Sequence, residues 1–526
     1  MKKILLTALS ILIVIGVPTN VWADEIEEVV VVGATVVETD SDPTQEVSLI
    51  EIVLPARPDN PGGYGGAALY NERGTQTSHS TIFVNGIPAN DSGSGWYDFA
   101  HDLATGSETV KVVTAPNGVA YGSGSLGGAV FITDSFETST TVRWGDEHDF
   151  LNVQYGKEDL GFSITSFDVN NGSVKTDNEE DDFYSNTSVK TMFDAGILDV
   201  VMSYTDYEYD YDNCYPEYTT LRIFVPSNDC TQQGERGTVS ARNDNVTFGY
   251  TFNNTNYYTN GTQTTVNEAS RVYVDARDSK HFTGATITYG VTLDQAEYND
   301  KEQNNSSVYL LTNTGAFDIG LRVSSDATVL RAGFEKNGFF GNLGTSYSNP
   351  TLYQQYGDGW VKPNSGLLPE EAIGGELGYN GISVFSYNFS EGISYENQQY
   401  VNTGSYSTKG VRVMETVALP YGGMNIMIGY TDSDQPRVPK WKSAIDAFFT
   451  VGSYKYTFTH STMRDRMPSV YDKSLDNIQS LDFNVSKEFG KFNIAIHVQD
   501  IFDDEYEVLP GFGAGGRSFL LTVVYK

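Results

Sequence analysis

KFNIAIHVQD (Lys491–Asp500) and SFLLTVVYK (Ser518–Lys526) decide the fold. In the first, Phe492, Ile494, Ile496 and Val498 fall on one face, and Asn493, Ala495, His497 and Gln499 on the other. In the second, Phe519, Leu521, Val523 and Tyr525 share a face. A period of two belongs to a β-strand that is apolar on one side. The same pattern recurs upstream, at Leu481, Phe483 and Val485, and in runs near Met424–Tyr430, Val411–Val417, Phe339–Tyr347, Ala285–Val291, Val246–Phe252 and Phe162–Phe167. Residues 137–526 therefore read as strand after strand, an all-β region.

Alternation alone also fits a soluble sandwich. Three features favour a transmembrane antiparallel β-barrel. The chain opens with Lys2 and Lys3, an apolar run from Leu5 to Val17, and the small-x-small site Val21-Trp22-Ala23, so residues 1–23 read as a secretory signal peptide. Tyr, Phe and Trp recur at strand ends, as in interfacial girdles. The final segment is itself an amphipathic strand, as barrel closure requires. About 390 residues over about 22 strands leave roughly 18 for each strand and its connection, of which about 9–11 span the bilayer. On that arithmetic most external loops should be short.

Composition narrows the function. The chain has 33 basic and 68 acidic residues, a formal net charge of −35. No basic stripe exists to neutralise phosphates, so nucleic acid is not expected as a partner. The six histidines are scattered without zinc-ligand spacing, and neither a nucleophile elbow nor a phosphate-binding loop occurs. No enzyme is expected. Cys214 and Cys230 are the two cysteines of an exported chain, where pairing into a loop staple is expected.

Between signal and barrel lie an acidic extended segment (24–45) and a compact, glycine-rich module (46–136). In the module, short β-like runs at Thr81–Val84, Thr109–Val113 and Gly128–Ile132 interrupt the glycines. VKVVTAPNGVAYGSGSLGGAVFI (Val110–Ile132), Arg73-Gly74 and IFVNGIPAND (Ile82–Asp91) together resemble the plug domain of the TonB-dependent outer-membrane receptors. Asn85 stands where that family usually has aspartate, Lys111 where it has an acid, and Ala115-Pro116 where it has Gly-Pro. Further blocks resemble the family's barrel, namely Ser346–Tyr379, Tyr400–Val413 and the segment VQDIFDDEYEVLPGFGAGGR before the last strand. The spacing of Ser346–Pro369 and the short barrel look loosely like the cobalamin-transporter branch. EEVVVVGA (Glu27, Glu28, Val29, Val30, Val31, Val32, Gly33, Ala34) looks like the TonB box. A β-branched run of this kind can add as a strand to the exposed sheet edge of a partner.

The resemblance implies a plug inside the barrel lumen, a home in the bacterial outer membrane among its lipids, and a periplasmic TonB-type energy transducer as partner. It implies active uptake of a scarce ligand such as an iron–siderophore chelate or cobalamin, with no cofactor required. The alternative is a plugged or partly open barrel for passive diffusion or adhesion. Ligand contacts are expected from plug loops that offer aromatics beside small residues, at Tyr64 and Tyr70 and at Asn90, Asp91, Trp96 and Tyr97. In TDYEYDYDNCYPEY, Asp206, Glu208, Asp210 and Asp212 alternate with tyrosines. On a strand they share one face, which suits Ca²⁺; a solvated acidic strand end is the other reading.

Overall fold

The computed structural model describes residues 32–526 apart from 33, 46–48, 50, 52–67, 71–72, 115–116, 147, 158, 170–181, 212–228, 436–437, 467–474, 505, 510–511 and 515. The signal segment 1–23 lies outside the described residues.

From Ser139 onward the alternating runs close on themselves. Twenty-two strands form one barrel, every neighbour antiparallel to the next. Closure occurs where the last strand, Ser518–Tyr525, pairs with the first, Ser139–Gly145, through Leu521↔Trp144 and Val523↔Val142. This is the all-β transmembrane barrel expected from the sequence.

The dyad pattern sorts side chains as anticipated. Phe492, Ile496, Phe519 and Leu521 are exposed on the outer wall, while Ala495, His497, Leu520 and Thr522 are buried inside. Leu151, Val153, Phe162, Ile164, Leu310, Ile319, Leu321, Leu343, Ile373 and Val384 add to the outer apolar band. Such a band is unfavourable in water and favourable in lipid, because only the bilayer removes that surface from solvent.

The two rims differ. The ten connections on one rim take only two to four residues each. Tight turns there use residues able to adopt positive φ, such as Asn337-Gly338 (+54° and +80°) and Asn380-Gly381 (+43° and +79°). The opposite rim carries five connections of two to seven residues and six of 13 to 21, among them 349–369, 391–405, 465–477 and 500–517. In barrels of this kind the short turns face the periplasm and the long loops face outward. The expectation that most external loops are short therefore fails narrowly, with five short and six long. The periplasmic turns use so few residues that the chain retains enough for long outer loops.

Inside the barrel sits a five-stranded sheet in the order β1-β4-β5-β2-β3. Its strands are β1 (Val36–Asp40), β2 (Ser80–Val84), β3 (Ile87–Pro88), β4 (Glu108–Thr114) and β5 (Gly128–Asp134). The last three β-like runs noted in the sequence are thus β2, β4 and β5. β1 arises from the acidic segment that was read as extended. It pairs antiparallel with β4, Val36 opposite Val113 and Asp40 opposite Thr109. The sheet packs on a core of Tyr70, Ile82, Phe99, Val110, Val130 and Ile132. A short helix α1 (Gly118–Tyr121) follows β4 and touches the barrel wall, where Val119 packs on Leu311, Val329 and Tyr347.

Candidate functional site

Several polar ties hold the inner domain to the wall, His79 with Glu370 and Arg236 with Asp102 among them, and three matter most here. The first is at Arg73, whose guanidinium donates to Glu376 at 2.7 and 3.2 Å and to the Tyr387 hydroxyl at 2.7 Å. Its cation lies over the Phe385 ring at 4.6 Å. Thr35 and Thr114 donate hydroxyls to the same carboxylate at 2.6 and 3.0 Å. Glu376 therefore joins Thr35 just before β1, Thr114 of β4 and Arg73 to the strand Glu370–Tyr379.

The second tie is a buried ammonium. Lys190 of the strand Tyr184–Asp194 donates to Glu108 at 2.8 Å and Asp134 at 2.6 Å. Burial alone would push the Glu108 carboxyl up. Lys190, with the Thr105 and Ser41 hydroxyls, more than reverses this and holds it below the usual carboxylate range.

The third tie grips the N-terminal segment. The Val32 N–H donates to Asp318 Oδ2 at 2.6 Å. Arg331 bonds the Val32 carbonyl and the Asn117 side chain, and its Nε lies 3.1 Å from Asp318. The Asp318 and Arg331 side chains are fully buried. Asp318 opens the strand Phe317–Ser324 beside a short-rim turn, so this grip lies at the periplasmic mouth. Of the eight residues read as a TonB box, Val32 and Ala34 are described, and Ala34 packs on the Phe83, Val113 and Phe131 cluster. Glu27, Glu28, Val29, Val30, Val31 and Gly33 lie outside the described residues.

At the opposite end, the loop after β3 forms the apex of the inner domain. Asn90 is buried; its amide accepts from the Ile82 N–H and donates to the Ser80 and Gly95 carbonyls. Asp91 accepts from Gly93 N–H at 3.0 Å and Ser94 N–H at 2.6 Å, and from Asn253 at 3.2 Å. Tyr97 lies edge-on to Phe99, with Arg236 5.3 Å from its ring centroid. Burial, then the Asp102 carboxylate, push its phenol up. Tyr70 belongs to the sheet core, and Tyr64 lies outside the described residues. Trp96 differs from all of these, being 47% exposed at the crest of the loop.

The barrel brings further aromatics to that crest. The 349–369 loop contains a helix α2 (Leu352–Tyr356), capped by Thr351, whose hydroxyl accepts from the Gln354 N–H. The Tyr353 N–H donates to the Gly93 carbonyl at 3.0 Å, tying this loop to the apex. The Tyr353 ring lies 6.3 Å from Tyr298 and 6.2 Å from Tyr400, and Tyr395 lies 5.3 Å from Tyr400. Tyr395 is 46% exposed and Trp360 44%. These residues were not singled out in the sequence. Tyr353, Trp360 and Tyr400 fall in blocks quoted above, but linear spacing cannot show that Tyr353 meets Tyr298 and Tyr400 above the apex.

Two small cavities flank the apex between the inner domain and the wall. One of about 100 Å³ is lined by Asn90, Asp91, Arg271, Asp294 and Arg322. The other, of about 80 Å³, is lined by Tyr97, His101, Asp102, Tyr207 and Arg236. Burial, with Arg236 nearby, holds the His101 imidazole well below its ordinary value, so it is neutral in the folded protein. Neither cavity holds a ligand of ordinary size, for which several hundred Å³ is usual.

The acidic set is not gathered into a site. Asp206, Glu208 and Asp210 do share one face of the strand Asp199–Asp210, as strand geometry requires. That face is the outer one, since Thr205, Tyr207 and Tyr209 point inward. Glu208 accepts from Gln233 and Asp210 from Thr231, on the neighbouring strand. Among the described residues no group of three or more His, Cys, Asp or Glu side chains is placed to hold a metal ion. Asp212 lies outside the described residues. Cys230 is disulfide-bonded, and Cys214 lies outside the described residues.

Comparison with known proteins agrees with this architecture. The TonB-dependent Receptor Plug Domain family matches residues 41–129, the span of the inner domain. The chain is similar in structure to the siderophore receptor PirA from Acinetobacter baumannii, with 13% identity and a TM-score of 0.70 over 94% of this chain and 98% of that one. It is similar to the ferric enterobactin receptor PfeA in complex with BCV-L6, with 11% identity and a TM-score of 0.71 over 94% and 99%. The siderophore receptor PiuA from Acinetobacter baumannii gives 14% identity and a TM-score of 0.69 over 94% and 96%. Residues 41–129 are thus a TonB-dependent receptor plug domain, folded inside a closed barrel of 22 strands, and the chain as a whole has the fold of the receptors it resembles, a fold of the bacterial outer membrane.

Proposed function

We propose that this receptor binds a scarce ligand at the outer rim and takes it across the outer membrane by TonB-dependent active transport. The single observation that carries this reading is the wiring of the plug. One domain reaches from the Val32 grip at the periplasmic mouth to Trp96 and Gly93 under the external aromatics. A pull on the N-terminal segment is thus applied to the same body that floors the ligand site. An iron–siderophore chelate is the ligand class favoured over cobalamin, because the structures it resembles are named as siderophore and ferric enterobactin receptors.

A passive or adhesive barrel has no use for such an axis. The energy transducer is proposed to add the EEVVVVGA segment as a strand to its own sheet edge. Proline removes a ladder donor. Val31→Pro is therefore expected to abolish ligand accumulation in cells while leaving binding at the cell surface at the wild-type level. Accumulation equal to wild type would show that the segment does not couple.

Trp96 is the plug's exposed contribution to the site. An aromatic truncated at the centre of a binding surface typically loses about 2 kcal/mol. Trp96→Ala is expected to weaken ligand binding roughly 30-fold, by the usual tenfold per 1.4 kcal/mol. The plug should stay folded, because half of the ring is already in solvent. Titration of ligand into purified receptor, with circular dichroism as the folding control, checks this. Unchanged affinity would move the site away from the apex.

A further inference from the structure

From the charge around the external aromatic cluster we infer that the ligand is an uncharged or cationic chelate, and that the rim rejects anionic chelates. This rests on the uptake reading and names the ligand class for the same site. Among the described residues, the outer-rim connections carry 15 acidic and 4 basic residues. A rim of one sign focuses its field over the mouth, raising the local concentration of the opposite charge and lowering that of its own.

The carboxylates reach into the cluster itself. Asp358 accepts from the Tyr353 hydroxyl at 3.1 Å. Asp91 sits in the plug apex just beneath. Burial first, then this Asp358 carboxylate, push the Tyr353 phenol up, so it is a neutral donor at any physiological pH. Asp358 also lies near enough to act on the Tyr298 and Tyr400 phenols.

The nearby cations are few, and each has a contact of its own. Lys301 stands 5.8 Å over the Tyr356 ring. Lys362 donates to the Asn397 carbonyl at 3.4 Å. Below the apex, Arg271 faces Asp294 at 3.5 Å, and Arg322 donates to the Val119 and Ala120 carbonyls of α1 and to Ser307. An anionic chelate would exchange its hydration for aromatic faces beside carboxylates, with only the exposed Lys301 and Lys362, each in one long contact, to offset them. An uncharged one meets flat apolar faces with phenol donors at their edges. A cationic one gains the ring quadrupoles as well.

The test uses the full-length purified receptor in neutral detergent and two ferric probes of similar size, an uncharged tris-hydroxamate chelate and a trianionic tris-catecholate chelate. Binding is followed by tryptophan quenching. At low ionic strength the uncharged chelate is expected to bind at least about tenfold more tightly, and the gap should narrow as salt screens the rim. In parallel, quenching by iodide and by caesium is measured. Trp96→Phe and Trp360→Phe variants isolate the rim tryptophans from the lipid-facing Trp144 and Trp441. Caesium is expected to quench the rim component several-fold better than iodide. Equal or tighter binding of the trianionic chelate, with affinity that falls as salt rises, would overturn the inference. If neither chelate binds, the quenchers decide, and iodide matching or exceeding caesium overturns it. Energised uptake of an anionic chelate would contradict this inference and leave the uptake reading standing. Binding of the uncharged chelate without energised uptake would do the reverse.

Discussion

Glu376→Ala is expected to loosen the plug by about 3–5 kcal/mol, the usual consequence of removing one partner from a buried ion pair. Arg73 would be left charged between Phe385 and Tyr387, where burial leaves it no water. The Thr35 and Thr114 hydroxyls would lose their acceptor together, so the defect spreads to β1 and β4. The barrel should survive, since its hydrogen bonds close strand to strand without the plug. The expected outcome is a heat-resistant barrel on gels whose plug is cut by added protease and whose bilayer conductance rises. Replacing both partners, as Arg73→Met with Glu376→Met, should restore much of the protection, because two matched apolar groups leave no orphaned charge. A Glu376→Ala protein as resistant as wild type would mean that other contacts hold the plug.

The second large effect is at the periplasmic mouth. Asp318→Ala removes the acceptor of the Val32 N–H and the partner of Arg331. A charge-assisted hydrogen bond contributes about 1.5–3 kcal/mol. Releasing the segment should then raise the apparent affinity of a purified transducer domain for the unliganded receptor roughly 10–100-fold, since affinity scales with the fraction of segment free to bind. Surface plasmon resonance with and without the substitution measures this directly. Gly333 offers an independent control, because a Cβ there would overlap the Val32 carbonyl. Gly333→Ala should act in the same direction while keeping both charged residues, although its Cβ would also crowd Asp318 Oδ1 at 2.5 Å and Arg331 Nη2 at 3.0 Å. If both variants bind the transducer like wild type, the Val32 grip does not limit access.

The sequence showed the barrel because lipid on one side and a packed lumen on the other impose strict alternation, as in Phe492–Gln499, whose faces sort as written. The plug was legible in its glycines and in Arg73-Gly74, and the partner of Arg73 was not. Glu376 lies 303 positions away on the barrel wall, a separation that no periodicity encodes. The same is true of Lys190 with Glu108 and Asp134, and of Asp318 with Val32. β1 is legible only as extended chain, because Val36–Asp40 is too short and too polar to show alternation, and it becomes a strand by pairing with β4. At the ligand end the sequence marked the right loop but not the right atoms. Asn90 and Asp91 have the composition of a binding loop, yet their polar atoms serve the turn itself, leaving Trp96 as the exposed surface. The aromatics above its loop come from two barrel connections, 349–369 and 391–405, and from the strand end at Tyr298.

The central claim is that ligand crosses this barrel only when force reaches the plug through its N-terminal segment. Accumulation of a ferric chelate by cells expressing the receptor, measured before and after a protonophore collapses the inner-membrane gradient, tests it most directly. The account predicts that accumulation stops while surface-bound chelate stays unchanged, and that a receptor lacking residues 27–31 behaves the same way without the protonophore. Accumulation that continues at the same rate in de-energised cells would contradict it.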